Sequence, residues 1–295
     1  MNINQIEDRT NGDILNNLKE EIAYGGYLVS LCSPCLIITT CLILNINIDI
    51  PLLFISYLLP LIVYSYDYYK DIDKDAKNNS ERAIYLKKKA KNYPYLLGFY
   101  FILLISLLAL YSNFNLILFI SLIVLGGILY NFLLKGITKK IPAFKNMYTA
   151  MIWASGGAFF PLFYYSLPFN VSFIIIFTLI FLKCIINIIF FDLKDIENDK
   201  AEGLKTIPVI MGKKSTIKLL KSINIIAFIP VVLGVYFNLI GFSAVYLLVF
   251  IFYSYYYLNK ANSASDSELE STAHLFADSE FLFWPIVLFI FNFII

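Results

Sequence analysis

Apolar residues run together along this chain at 22–44, 50–66, 93–112, 114–134, 147–165, 171–191, 222–238, 239–258 and 281–295. At 1.5 Å of rise per residue, such runs cross about 30 Å of hydrocarbon with some tilt and interfacial ends. They predict an all-α integral membrane protein, a bundle of about nine transmembrane helices with tight joins at 113 and 238–241. The polar stretches between them are too short for a soluble domain of at least about 50 residues, so residues 1–295 read as a single polytopic domain. Any chemistry then belongs in or at the bundle.

Composition agrees. Of 295 residues, 59% are apolar and 15% charged, where soluble chains carry about 25% charged residues. Aromatics reach 17%, which suits side chains at bilayer interfaces or around an apolar cavity. The formal net charge of +2 gives nucleic acid binding no support, and no protein partner is implied.

The placement of charge carries more information than its sum. Eight basic residues lie in 67–92, four in 135–146 and seven in 192–221, whereas 45–49, 113, 166–170 and 238–241 hold none. Cytoplasmic loops collect Lys and Arg, so the polar segment 1–21, with Arg9 and Lys19, and the loops 67–92 and 192–221 are expected inside. An odd number of spans then puts the C-terminus outside. The connection 259–280, with Lys260 against Asp266, Glu268, Glu270, Asp278 and Glu280, is the one acidic inner loop. The N-terminal segment lacks the basic start and short apolar core of a signal peptide, so no processing is expected.

Cys32, Cys35, Cys41 and Cys184 all sit in apolar runs, and the spacing Cys32-Ser-Pro-Cys35 has no second pair or histidine to complete a metal site. They read as buried, inert thiols. His274, the one histidine, reads as a solvated or loop-ordering residue rather than a base.

Two acidic clusters follow apolar runs. In "YDYYKDIDKDAKNNSER", Asp67, Asp71 and Asp75 fall at i, i+4 and i+8 of a continuing helix, within an arc of about 80°, and Asp73 points elsewhere. In "FFDLKDIENDKAEG", Asp192, Asp195 and Asp199 fall at i, i+3 and i+7, within about 60°. Aligned carboxylates repel and call for a cation. All-oxygen donors suit Mg²⁺ or Mn²⁺, and Mg²⁺ typically combines one or two carboxylates with phosphate oxygens. Two such stripes facing each other would hold a diphosphate through bridging metals. The bland reading, solvated acidic helix ends paired with lysines such as Lys70 and Lys200, fits one cluster better than two.

These stretches resemble the UbiA-type intramembrane prenyltransferase family, over nearly the whole chain. The first cluster is similar to that family's Asn-x-x-x-Asp-x-x-x-Asp motif, with Asp67 in place of Asn, and "DAKNNSER" to a continuation seen in a subset of members, with Ser80 where Pro is usual. "DLKDIENDKAEGLKTIPVIMG" resembles the second motif and its Gly-x-x-Thr-[Leu/Ile]-Pro-Val tail. "LYNFLLKGITKKIPAFKNMYTAMIWA" resembles the stretch between the motifs. One departure is that "LVSLCSPCLII" keeps Pro34 but lacks the Arg that often precedes it in the family.

The resemblance implies nine helices around a central cavity whose cytoplasmic mouth carries both motifs. It implies Mg²⁺ on Asp67, Asp71, Asp75, Asp192, Asp195 and Asp199, and a diphosphate contacted by Arg82, Tyr130, Lys139, Lys140, Lys145 and Lys194. The expected reaction moves a polyprenyl group from its diphosphate to a lipophilic acceptor, an aromatic quinone precursor in the first instance. A glycerol phosphate ether lipid or a carotenoid is the alternative acceptor. A divalent cation transporter fits less well, because its acidic residues would lie at midplane. Within the apolar run 171–191, Lys183 and, one turn on, Asn187 are the expected polar fixtures of the acceptor cavity; the competing reading of Lys183 is a lysine hydrogen-bonded inside the bundle.

Overall fold

The computed structural model describes residues 25–70, 72, 80–129, 137–265, 268–269 and 272–294. The described elements are helical throughout. Seven of the helices are long and apolar enough to cross a membrane: Tyr27–Leu44, Ile50–Lys70, Tyr93–Tyr111, Val171–Asp192, Lys213–Tyr236, Phe242–Lys260 and Leu275–Asn292, with Phe114–Gly127 a shorter apolar helix. This is a multi-pass membrane protein, with seven of the nine expected spans meeting that measure among the described residues.

The helices are α1 (Tyr27–Leu44), α2 (Ile50–Lys70), α3 (Ser80–Lys89), α4 (Tyr93–Tyr111), α5 (Phe114–Leu129), α6 (Phe144–Tyr164), α7 (Val171–Asp192), α8 (Ile196–Ala201), α9 (Ile207–Met211), α10 (Lys213–Ile226), α11 (Ile229–Tyr236), α12 (Val249–Lys260) and α13 (Ser279–Ile294). A 3₁₀ turn at Ile137–Lys139, another at Phe242–Leu248 and a π-helical turn at Ala273–Asp278 complete the order. The chain divides into two compact units, residues 25–31 with 53–111 and residues 32–52 with 112–294.

In the first unit, tyrosines do much of the packing. Tyr69 stacks on Tyr93 with centroids 5.5 Å apart, around a small core of Tyr85, Leu86 and Tyr93. The hydroxyls of Tyr27 and Tyr100 share a 2.8 Å hydrogen bond.

The second unit has its core along α6 and α7. Ala150, Ala154 and Ala158 recur every four residues on α6, each fully buried, and small side chains let helices in a membrane approach closely. Gly157 belongs to the same stripe: a Cβ there would meet Ile180 Cδ1 at 2.9 Å and Leu36 Cβ at 3.0 Å. The Thr40 hydroxyl on α1 donates to the Gly157 carbonyl at 2.8 Å.

Two expected helices begin and end differently. The run 222–238 is the apolar end of a longer segment that starts at Lys213 and is interrupted between α10 and α11. Pro230 causes the break, since it has no N–H to give and its ring crowds the carbonyl four residues back. Lys213, Lys214, Lys218 and Lys221 make the start of α10 polar on one side, which hid it from a reading based on apolar runs. The run 239–258 opens with the 3₁₀ turn and becomes α-helical at Val249.

Candidate functional site

The second acidic cluster lies wholly within the second unit. It is not one continuous stripe: α7 ends at Asp192, a turn at Leu193 and Lys194 follows, and Asp195 stands just before α8. The Asp195 N–H donates to the Asp192 carbonyl at 3.2 Å, closing the turn, and Leu193 goes into the core at 2% exposure. Burial of that leucine turns the chain where uninterrupted helix was expected.

Asp192 is buried and both its oxygens are engaged. Asn146 Nδ2, in the first turn of α6, donates to Oδ2 at 2.6 Å, and Lys145 Nζ lies 3.7 Å from Oδ1. The Lys145 side chain is itself 45% exposed. Ala143, just before α6, adopts φ 56° and its N–H donates to the Lys205 carbonyl, which ties the start of α6 to the tail of the second cluster.

Asp199 is also buried, and the tail explains how. Helix α8 ends in a Schellman motif: the Leu204 N–H donates to the Asp199 carbonyl at 2.9 Å and the Gly203 N–H to Lys200 at 3.1 Å, with Gly203 at φ 72°. That reversal brings the buried Thr206 back over α8, where its hydroxyl donates to Asp199 Oδ2 at 3.0 Å. The glycine and threonine of the tail thus have separate tasks, one turning the chain and one orienting a carboxylate. Burial pushes the Asp199 carboxyl above its ordinary range and the Asp192 carboxylate adds to the rise; the Thr206 hydroxyl pulls the other way. Asp195 is half-buried.

Asp67 lies exposed on the last turn of α2; Asp71, Asp75 and Tyr130 lie outside the described residues. Arg82 is on α3, its side chain outside the described set. Lys139 and Lys140 are exposed at the 3₁₀ turn before α6, and Lys194 is half-buried in the turn after α7. Among the described residues no three Asp, Glu, His or Cys side chains converge as a metal-holding group. The second cluster nevertheless fits Mg²⁺ by its chemistry. Its donors are all oxygen, and Asn146 Oδ1, buried beside Asp192, is without a hydrogen-bond partner.

Lys183 and Asn187, the expected polar fixtures of the acceptor cavity, both lie on α7 and meet polar partners inside the second unit. Lys183 is 1% exposed inside the second unit, its Nζ 2.5 Å from Glu280 Oε1, 2.6 Å from Ser254 Oγ and 2.9 Å from Asn224 Oδ1. Those surroundings match the bundle-internal reading. Glu280 also accepts from Ser254 at 2.8 Å and Tyr257 at 3.2 Å. Asn187 donates to Asp278 Oδ1 at 3.1 Å. Asp278 and Glu280 are therefore not solvated loop acids: they lie in the π-helical turn and at the start of α13, both buried. Nothing in the order of residues distinguishes them from Glu268, which is exposed. A cavity of about 930 Å³ lies around 43–47, 165–173 and 238–242, at the opposite end of α7 from Asp192, and includes none of the candidate residues.

Known proteins bear on this arrangement. The profile of the UbiA prenyltransferase family matches residues 31–286. A digeranylgeranylglyceryl phosphate synthase from Methanosphaera stadtmanae is 35% identical over 83 residues, which cover 28% of this chain and 30% of that relative's length. Among solved structures, a UbiA homologue from Aeropyrum pernix K1 aligns with a TM-score of 0.62 at 13% identity, covering 90% of this chain and 96% of its own. A UbiA homologue from Archaeoglobus fulgidus bound to DMAPP and Mg²⁺ aligns at 0.59 and 16% identity, covering 88% and 95%. A structure described as giving insight into digeranylgeranylglyceryl phosphate synthase in membranes aligns at 0.59 and 19%, covering 93% and 98%. With its fold shared by these homologues and the family profile spanning most of its length, the chain belongs to the UbiA prenyltransferase family.

Proposed function

We propose that this protein transfers a prenyl group from its diphosphate to the hydroxyl of a glycerol phosphate ether lipid, at the inner face of the cell membrane. The observation that carries the reaction class is the held pair of buried carboxylates: Asp192 between Asn146 and Lys145, and Asp199 under Thr206. The acceptor class is supported by the relationship to a digeranylgeranylglyceryl phosphate synthase, and it displaces the aromatic quinone precursor as the first choice. The basic loops support an inner placement for the N-terminus and both acidic segments, and an outer C-terminus.

In this reading Asp192, Asp195 and Asp199, with Asp67, Asp71 and Asp75, hold Mg²⁺, as the homologue bound to DMAPP and Mg²⁺ suggests for the family. Bound Mg²⁺ offsets the charge that develops on the departing diphosphate. Lys145 supplies further positive charge to the same oxygens, with Arg82, Tyr130, Lys139, Lys140 and Lys194 completing the diphosphate contacts. The bond from the allylic carbon to the diphosphate oxygen breaks, the acceptor oxygen bonds to that carbon, and the hydroxyl proton leaves with diphosphate or solvent. Apolar helices keep water from the allylic cation, and aromatic faces steady it.

Purified full-length protein with Mg²⁺ and a prenyl diphosphate is expected to release diphosphate when given a glycerol phosphate bearing one ether-linked isoprenoid chain, and not with an aromatic acid. Release that is unchanged in Asp71→Ala and Asp195→Ala would remove the proposed roles. Release with the aromatic acceptor alone would return the acceptor to the quinone class.

A further inference from the structure

The two sides of α10 have different surroundings. Ile217, Leu220 and Asn224 are buried, and Asn224 Oδ1 accepts from Lys183 inside the bundle. On the opposite side Lys214, Lys218, Ser222 and Ile225 fall within an arc of about 80°, all of them exposed. The exposed line continues on α11 through Ile229 and Val232 to Tyr236, which is 76% exposed. Isoleucine and valine turned away from the bundle on a membrane-crossing helix face lipid tails, so lysines on the same line at its polar end face lipid headgroups.

Depth agrees with this. The segment Lys213–Tyr236 is one span of 24 residues. With Tyr236 at one interface, a rise of 1.5 Å per residue puts Lys218 up to about 27 Å away and Lys214 up to about 33 Å, on either side of a hydrocarbon thickness of about 30 Å. The lysines stand at the end of the span nearer the second acidic cluster, whose tail leads into α10.

Their charge has no answer within the helix. The sequence holds no Asp or Glu between Glu202 and Asp266. Lys213 Nζ donates to the Ala264 carbonyl at 2.6 Å and Lys221 Nζ to Asn259 Oδ1, whereas Lys214 and Lys218 have no hydrogen bond or ion pair among the described residues. At i and i+4 the two are neighbours, with Cβ atoms about 5–6 Å apart, and like charges so placed repel. An anion between them turns that repulsion into attraction, and lysine ammonium groups bind phosphate oxygens as point charges.

We propose that Lys214 and Lys218 bind the phosphate of an anionic membrane lipid in the leaflet beside the second acidic cluster, with the lipid's chains lying along Ile225 and Ile229. The apolar line that continues directly from the lysines selects a lipid over free phosphate, because one surface takes both the charge and the chains.

The test titrates full-length protein in uncharged detergent micelles with dioleoylphosphatidylglycerol and reads the rise in melting temperature. The double variant Lys214→Gln with Lys218→Gln is expected to need at least about tenfold more of the lipid for half of the effect, since each lysine at a lipid surface contributes about fivefold. Lys88→Gln with Lys91→Gln removes the same charge from exposed positions in the first unit and should stay within about twofold of the parent. If the double variant does not fold, Lys214→Gln is read alone, with an expected loss of about fivefold. A parent that does not respond to the lipid, a double variant within about twofold of the parent, or a control pair that weakens the response as much overturns the proposal. An equal response to inorganic phosphate would make the site one for a free anion, and an equal response to phosphatidylcholine would make headgroup charge irrelevant; either overturns it too.

Discussion

Lys183 Nζ lies 2.5 Å from Glu280 Oε1, with the two side chains 1% and 2% exposed. Bringing an ammonium and a carboxylate out of water costs more than their attraction returns unless other groups join, and Ser254, Asn224 and Tyr257 do so here. The pair links α7 to α13 and, through Ser254 and Asn224, to α12 and α10. Lys183→Met leaves the buried Glu280 without its cation, and is expected to lose about 3–5 kcal/mol of stability. The double variant Lys183→Met with Glu280→Met should recover most of that loss. Melting of the two variants in detergent checks it; a double variant as unstable as the single one would contradict the account.

Adjacent glycines on α6 should behave oppositely. Gly157→Ala forces a methyl to within 2.9 Å of Ile180 Cδ1 and 3.0 Å of Leu36 Cβ, an overpacking worth about 1–3 kcal/mol. At Gly156 the nearest atom to an added Cβ is 3.6 Å away, on Phe160, so alanine there should be neutral or should raise stability by up to about 1 kcal/mol. Thermal melts of the two variants side by side give the comparison.

Asn113 holds two helix ends at once. Its Oδ1 accepts from the Leu116 N–H at the start of α5, while Nδ2 donates to the carbonyls of Phe163 and Tyr164 at the end of α6, at 2.9 and 2.7 Å. Asn113→Ala should cost about 1–2 kcal/mol. Asn113→Asp keeps the cap but turns its remaining oxygen on two carbonyls, so it should recover nothing, as melting curves would show.

The raised carboxyl of Asp199 has a pH signature in the metal-free protein. A carboxyl whose folded value lies above its unfolded one contributes stability that is full below the ordinary carboxylate value and is lost as pH climbs through the raised value. Asp199→Asn has no such loss. Relative to the parent, its melting temperature in chelator should therefore rise as pH climbs above the ordinary carboxylate range, and a difference independent of pH would contradict the shift. Added Mg²⁺ should shrink that difference by stabilising the parent alone.

Much of this architecture was legible in the order of residues, because a bilayer demands long apolar runs. The starts of α4, α5 and α7 fall where the runs begin, at residues 93, 114 and 171. The start of α10 did not, since its first turns bear lysines; nor did the break at Leu193, where a single buried side chain overrides helical spacing. Asp192, Asp195 and Asp199 were found by spacing, but Asn146 and Thr206 carry no spacing signal and emerge only from the 2.6 and 3.0 Å contacts they make. Glu280 was hidden for the opposite reason: it follows so many acidic residues that it read as one more charge of the loop 259–280.

The π-helical turn at Ala273–Asp278 sets the phase of everything after it. Its i→i+5 winding holds one residue more than an α-turn would over the same rise, so the chain enters α13 rotated by about 100° from where unbroken α-winding would leave it. Asp278 and Glu280 meet Asn187 and Lys183 only in that rotated setting. The length of this turn thus acts as a gear tooth: losing one residue from it would change no side chain in the ion pair, yet would swing the glutamate away from its lysine and bring a neighbour of different character to face it.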